Sequence, residues 1–526
     1  MLVNTRPLDV DYAAEGLWEK RTLCSFLDQA AALHPERSAV KAAGDDISYH
    51  ALRSAVASMA AILRGRWVNR HDVVTILLPN WLETVVAIHA ASWAGCVVNP
   101  VVTTYRRAEV SFILEQSKSR AVFIPHVFRG FDFVEMLSEI LAGMSDPPTV
   151  IVVRPQGELP DGFVSFDEIH GTGDGMDPCG DPSDICLLLY TSGTTSLPKG
   201  VLHNHQTITW EMRSIVEKFG LGDEDAIFMA SPVGHLTGIV YGVYLPTLLG
   251  QSVTLLDIWD PVAAVDLIER DGCRVSLGAT PFLHGLSGEY RTRDSSSSLR
   301  LFLCGGADMP ADLIVEASQQ LGALVTRTYG SSEMPTYSIS GPESTLEERS
   351  TTDGTPLSPA SGRLLDERDG IGELAVRGPE LFLGYLDPTL NESAFTGDGY
   401  FKTGDLVSVD DSGAITVRGR VKDIIIRGGE NISALEVENH LRQHAAIEDA
   451  AVVGYPDDKM GERVAAFLVL AEGVSKTDLE IGGYLRTRGL AAHKWPEKLR
   501  IVGELPHTAS GKVHKQLLRQ RLSQSG

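Results

Sequence analysis

Wholly apolar runs of strand length alternate with segments of helical periodicity along most of this chain, and that alternation restricts the fold more than any other feature. Asp72-Val-Val-Thr-Ile-Leu-Leu78 reads as a buried strand, because a strand with one wet face would alternate polar and apolar residues, and Ala121–Pro125, Thr149–Val153, Val275–Gly278 and Leu324–Tyr329 read as further strands. Thr22–Leu33, which opens on a good N-cap, Leu82–Cys96, Val110–Lys118, Pro261–Arg270 and Ala311–Leu321 have helical spacing, and Ser48–Arg64 reads as a strand end followed by an Ala-rich helix. Strands and helices in this rhythm predict βαβ units and parallel sheets. With 526 residues, 43% of them hydrophobic, two such sheets suit the length better than one. The Gly-, Asp- and Pro-rich stretch from Gln156 to Asp184 is expected to be a surface connection.

Between two apolar segments lies Tyr190-Thr-Ser-Gly-Thr-Thr-Ser-Leu-Pro-Lys-Gly200, a crowd of hydroxyls with two glycines and one lysine. Gly193 and Gly200 let the backbone turn and come close to a ligand, the hydroxyls can donate to phosphate oxygens, and Lys199 adds a mobile positive charge. The stretch therefore reads as a phosphate grip. A flexible linker can have this composition, but linkers are not bracketed so tightly by core-like strands. The residue order is not that of a Walker A loop.

A formal charge of −23 and a sequence pI near 5.1 exclude a broad nucleic-acid or anionic-membrane surface, so an anionic substrate must be met by a local pocket. Six cysteines without CxxC or metal-ligand spacing predict reduced core thiols in a cytoplasmic protein. The pair His203 and His205 has no third ligand nearby in sequence and is expected to be a strand edge rather than a metal site. No signal peptide is expected, and the apolar stretch Val85–Val102 is broken by His89, Asn99 and Pro100.

Past Gly372 short strands, Glu373–Arg377 and Ala414–Arg418, alternate with turn signals such as Thr396-Gly-Asp-Gly399, which predicts a small β-rich unit. The expected architecture is α/β: a large N-terminal domain, residues 1–419, of two βα-layered sheets plus a small β-rich subdomain, followed by a small mobile α+β C-terminal domain, residues 420–526.

Seven stretches match one pattern in order: Tyr190–Gly200, Cys304-Gly-Gly-Ala307, Tyr329-Gly-Ser-Ser-Glu333, Phe401-Lys-Thr-Gly-Asp405, Gly419-Arg-Val-Lys-Asp423, Arg427-Gly-Gly-Glu-Asn-Ile432 and Pro506-His-Thr-Ala-Ser-Gly-Lys512. Together they resemble the adenylate-forming superfamily, in its acyl-CoA synthetase or acid–CoA ligase branch. The resemblance implies two steps: a carboxylate attacks the α-phosphate of ATP to give an acyl-adenylate and pyrophosphate, and a thiol then takes the acyl group. Fixed cations in a dry pocket suit a step in which two anions meet.

By this resemblance Lys512 bridges the carboxylate and the α-phosphate, Glu333 holds magnesium, and Thr191, Ser192, Gly193, Thr194, Thr195 and Lys199 grip phosphates. Gly305, Gly306 and Ala307 admit the adenine and acyl groups, Tyr329 packs on adenine, and Gly330, Ser331 and Ser332 continue the nucleotide site. Asp405 accepts the ribose hydroxyls beside Arg420. Lys422 is the hinge about which the C-terminal domain pivots, and Gly428, Gly429 and Glu430 line the tunnel for the thiol arm. Ser196 stands where the family usually has Gly, Ser332 where it more often has Thr, and Phe401-Lys402 where Tyr-Arg is frequent.

His235, in Ser231-Pro-Val-Gly-His-Leu-Thr-Gly238, matches the family's aromatic or histidine gate beside the carboxylate and the thiol tunnel. Met229–Pro246 lacks the acidic residue with which amino-acid-activating relatives hold an ammonium, so the expected substrate has no α-amino group. The wording is similar to cyclohexanecarboxylate–CoA ligase and medium-chain acyl-CoA ligases, which implies a cyclic, aryl or short-to-medium-chain acid. Fourteen residues follow Lys512, too few for an attached carrier domain, so coenzyme A is the expected acceptor. A stand-alone enzyme loading a separate carrier protein and a catalytically inactive nucleotide-binding regulator are the alternatives. The resemblance also implies a site for protein acetyltransferases at Lys512 and leaves a homodimer open.

Overall fold

The structure, a computed structural model, describes residues 6, 12–169, 175–191, 198–293, 296–306, 309–428, 430–457, 459–474, 480–507 and 512–523. Contacts divide the chain into two units. The first comprises Met1–Gly193, Leu197–Ser361 and Arg377–Gly399, and the second Thr194–Ser196, Gly362–Val376 and Tyr400–Gly526.

The first unit holds two large sheets. One has, among the described residues, nine strands in the spatial order Thr355–Pro356, Ser338–Ile339, Leu324–Tyr329, Leu301–Gly305, Val275–Gly278, Ile227–Met229, Val253–Leu255, Ser38–Ala42 and Asp45–Ser48. Its central strands are parallel and its edges antiparallel. The other has seven, in the order Lys199–Asn204, Ile185–Thr191, Val97–Pro100, Val73–Ile76, Ala121–Pro125, Thr149–Val153 and Phe163–Ser165, all parallel except the first pair. Ala121–Pro125 is buried throughout, as its unbroken apolar sequence requires, and so is Val73–Ile76, where the Thr75 hydroxyl finds partners in Ser119 and Asn99. Helices Pro261–Asp271, Thr280–Thr292 and Ala311–Leu321 supply Val265, Ile268, Leu283, Leu286 and Ile314 to a core shared with Phe228, Phe302 and Val325 of the nine-stranded sheet.

The expected α/β class with layered sheets is thus present, with local differences. Thr22 occupies the N-cap of helix Leu23–Leu33 but makes no side-chain cap bond, whereas Ser48 accepts from the Ala51 amide at the start of Tyr49–Arg66. The stretch Gln156–Asp184, expected to be a surface connection, contributes strand Phe163–Ser165 and a short helix Phe166–Ile169. Its apolar island Phe163-Val164 finds a partner in Thr149–Val153.

In the second unit the β-rich segment forms a four-stranded sheet, Ser361–Arg368, Ile371–Arg377, Phe401–Val409 and Ile415–Arg420. A 3₁₀ turn, Val421–Asp423, leads into a mixed sheet of Ile424–Arg427, Glu430–Ser433, Ile447–Asp457, Gly461–Leu470 and Lys498–Ile501. Alternation along Ile447–Asp457 sends Ala450 and Val452 to a core with Val437, Leu441 and Leu485, and Ala451 and Val453 to another with Leu505 and Leu518. No helix among the described residues is long and apolar enough to cross a membrane. All six cysteines are free, and five are buried.

Candidate active site

In the first unit the strands flanking the phosphate-grip sequence, Ile185–Thr191 and Lys199–Asn204, pair antiparallel, and their last pair is Thr191 with Lys199. Ser192, Gly193, Thr194 and Thr195 lie outside the described residues, as do Ala307 and Gly429. Segment 383–386 runs beside Lys199–Asn204: Leu383 N–H donates to Leu202 O at 2.7 Å and Leu386 N–H to Gly200 O at 2.7 Å. That pairing brings Tyr385 under Lys199, whose ammonium lies 5.1 Å from the ring centroid.

The Tyr385 hydroxyl donates to Glu333 Oε1 at 2.8 Å. Burial, and then the Glu333 charge, raise the Tyr385 pKa, so this hydroxyl keeps its proton. Lys199, Tyr385 and Glu333 therefore form one line, a cation and a carboxylate held apart by a phenol. Glu333 lies in a tight turn, not at a helix start: the Ser331 hydroxyl accepts from the Glu333 and Met334 amides at 3.2 and 3.3 Å, and Phe382 N–H donates to Glu333 O at 2.8 Å. Gly330 opens the turn, and a Cβ there would stand 1.9 Å from Pro335 O.

Tyr329, at the end of strand Leu324–Tyr329, meets Tyr337 edge-on at 6.3 Å. Gly305 ends the neighbouring strand, in register with Thr328, and Gly306 follows at φ +83°. His203, expected to be a plain strand edge, is buried and takes part in the site's support. Its Nε2 lies 2.8 Å from Ser332 O, which can only accept, so Nε2 carries the proton and Nδ1 faces Thr207 Oγ1 at 3.0 Å. Burial lowers the His203 pKa to about 4 and keeps the ring neutral.

His235 occupies the N-cap position, without a side-chain cap bond, of a helical turn, Leu236–Ile239, that passes through a π-helical turn, Val240–Tyr244, into Leu245–Leu249. The π turn directs Tyr241 inward, where its hydroxyl donates to Glu211 and lies 3.1 Å from Thr336 Oγ1. Glu211 is 0% and Glu380 1% exposed. Burial raises both pKa values, that of Glu380 to about 8, with the Glu211 charge adding to the rise and its own backbone amide and Arg6 opposing it. Arg6 donates to the carbonyls of Leu381 and Phe382.

The second unit gathers the other candidates. Asp405, 7% exposed, is paired across the four-stranded sheet with Arg420, Nε to Oδ1 2.9 Å. Arg420 and Lys422 line a cavity of about 230 Å³ with Glu373, Thr403, Gly404 and Val421. Burial, then the Arg420 charge, lowers the Lys422 pKa to about 8; Lys512 pushes the same way and Asp423 and Asp405 oppose it. Gly428 closes the hairpin of Ile424–Arg427 with Glu430–Ser433, and its N–H donates to Met460 O at 2.7 Å. Lys512 is exposed and precedes Val513, which bridges to His507.

Among the described residues no cluster of three or more His, Cys, Asp or Glu could hold a metal. A lone carboxylate such as Glu333 still fits magnesium, an ion that keeps waters and takes other oxygens from substrate phosphates. Sequence reasoning missed Tyr385, His203 and Glu373; the only local sign of Tyr385 was the Gly384-Tyr385 pair after an apolar run.

The sequence profile of the AMP-binding enzymes matches residues 27–386, and that of their C-terminal domain residues 436–512. The medium-chain fatty-acid–CoA ligase of Escherichia coli (strain K12) is 32% identical over 97% of this chain and 92% of its own length. The salicyl-AMP ligase / salicyl-S-ArCP synthetase of Mycobacterium tuberculosis (strain ATCC 25618 / H37Rv) is 33% identical over 97% and 92%. The crystal structure of ATP-bound MatB from Rhodopseudomonas palustris superposes with a TM-score of 0.83 at 27% identity, covering 96% of this chain and 99% of that one. The two matched regions, in order and taking in most of the chain, establish that this protein belongs to the AMP-binding enzymes, the adenylate-forming family of the acid–CoA ligases.

Proposed function

We propose that the protein activates a carboxylic acid without an α-amino group, cyclic, aryl or short-to-medium-chain, and passes it to coenzyme A. In the first step the acid's carboxylate oxygen bonds to the α-phosphorus of ATP and the bond to the pyrophosphate oxygen breaks. In the second the thiol sulfur of coenzyme A attacks the acyl carbon, loses its proton, and AMP departs.

The observation that carries this reading is the Lys199–Tyr385–Glu333 line, which offers a cation for phosphate oxygens beside a carboxylate oriented for a hard metal. Magnesium, when bound by Glu333, would neutralise charge on the phosphates. Thr191, Ser192, Gly193, Thr194 and Thr195 grip phosphates with Lys199, Tyr329 packs on adenine, Gly305, Gly306 and Ala307 admit the adenine and acyl groups, and Asp405 beside Arg420 takes the ribose. Lys512 neutralises the meeting anions; then rotation of residues 420–526 about Lys422 withdraws it and brings Gly428, Gly429 and Glu430 to the thiol, with His235 as gate. An exposed lysine and a short turn joining two sheets both suit such a motion. Met229–Pro246 holds no acid, and the Glu211 carboxyl nearby is engaged by Tyr241, which favours a substrate without an ammonium group. Cytoplasmic ATP and coenzyme A fit this chemistry, as would acetylation of Lys512, which would remove the charge the first step uses. The M. tuberculosis relative, named as a salicyl-S-ArCP synthetase, keeps transfer to a carrier protein as the second reading.

Lys512→Ala tests the division of labour. Acyl-adenylate formation should fall by about 100-fold or more, the scale of losing a charge aimed at the transition state. Thioester formation from supplied acyl-adenylate should change far less. Equal loss in both steps would contradict the role.

A further inference from the structure

We infer that Glu373 is a positioning residue that sets the ribose-binding carboxylate, an inference that rests on the assignment of Asp405 to the ribose hydroxyls. Strands Ile371–Arg377 and Phe401–Val409 pair Glu373 with Leu406 and Ala375 with Lys402. Leu374 alone therefore faces Thr403, Gly404 and Asp405. The excess residues form a bulge, a device that interrupts the ladder and re-aims side chains. Gly404 takes φ +72°, in the left-handed region open to glycine.

A bulge also strips backbone groups of their ladder partners, and each must find another. The Thr403 hydroxyl donates to Leu374 O at 2.8 Å and accepts from the Asp405 amide at 3.1 Å. The Gly404 amide donates to Glu373 Oε1 at 3.2 Å. Glu373 thus closes the bulge from across the sheet, while Asp405, on the next residue, pairs with Arg420 at 2.9 Å. Glu373 also lines the same cavity as Thr403, Gly404, Arg420 and Lys422. Without that acceptor the amide would turn to water, and the Asp405 carboxylate would lose its fixed direction.

The test is nucleotide discrimination, measured as kcat/KM for ATP over that for 2′-deoxy-ATP. A site that hydrogen-bonds a hydroxyl rejects the analogue lacking it, because its own polar groups are left unpaired. Asp405→Ala should abolish the discrimination. Glu373→Ala should lower it by about tenfold, the scale of one lost hydrogen bond to a charged group, raise the KM for ATP and leave the KM for the acid alone. Glu373→Asp keeps the charge but withdraws the acceptor by one methylene, and should resemble the alanine variant; it also serves if that variant does not fold. Glu373→Gln retains an acceptor and should recover most of what alanine loses. Glu373→Ala/Asp405→Ala should discriminate no worse than Asp405→Ala. Wild-type discrimination in both Glu373→Ala and Glu373→Asp, with Asp405→Ala defective, would overturn the inference and spare the ribose assignment. Undiminished discrimination in Asp405→Ala would overturn both.

Discussion

Removing the Tyr385 hydroxyl would leave Glu333 without the donor that orients it, while a phenyl ring would still lie under Lys199. Tyr385→Phe is therefore expected to lower kcat/KM for magnesium-ATP by about tenfold, the lower end of what loss of an orienting partner costs a metal ligand. A magnesium titration of acid-dependent pyrophosphate exchange measures this, and an unchanged titration would exclude the orienting role. Glu380 makes a prediction about pH. Its folded pKa of about 8 stands above the ordinary 4.5, so between these values the folded chain keeps a proton that the unfolded chain has lost. Stability must then decline as pH rises from about 4.5 to about 8 and level off above. Glu380→Gln removes that decline: its melting temperature should lie close to wild type near pH 5 and exceed it at pH 8, by the equivalent of roughly 3–4 kcal/mol. A variant less stable than wild type at pH 8 would show that the carboxylate is needed in ionised form.

Among the elements, the candidate residues sit at departures from regular structure: the strand start at Lys199, the turn Gly330–Pro335, the π turn Val240–Tyr244 and the bulge at Gly404. Gly330→Ala is expected to displace the Glu333 turn, since its Cβ would stand 2.6 Å from Pro335 C as well as 1.9 Å from the carbonyl oxygen. Destabilisation of roughly 1–3 kcal/mol with a raised KM for ATP is the expected outcome. A wild-type KM in thermal-melt-verified protein would contradict it. Strands such as Ala121–Pro125 and Thr149–Val153 were legible in the sequence because full burial on both faces leaves an uninterrupted apolar run. Phe163–Ser165 was not, because three residues carry too little periodicity to stand out from a polar surround. Candidate residues in contiguous motifs, Lys199, Glu333 and Asp405, could be read directly. His203, Tyr385 and Glu373 act through bonds between positions 129, 52 and 31 apart, which local pattern does not encode.

At the scale of the whole molecule, Lys199, Glu333, Tyr329 and His235 belong to one unit and Asp405, Arg420, Lys422 and Lys512 to the other. The four-stranded sheet groups with the C-terminal residues, so the second unit is larger than residues 420–526. The proposed hinge at Lys422 thus lies inside the second unit, and the proposed motion would separate its two sheets. Acid activation followed by transfer to coenzyme A is read out by pyrophosphate release and AMP formation, measured with and without coenzyme A. The panel should include cyclohexanecarboxylate, benzoate, straight-chain acids and several amino acids. A cyclic, aryl or short-to-medium-chain acid should give AMP that depends on coenzyme A, while amino acids give none. Pyrophosphate release with no response to coenzyme A, or a preference for an amino acid, would contradict an acid–CoA ligase acting on such acids.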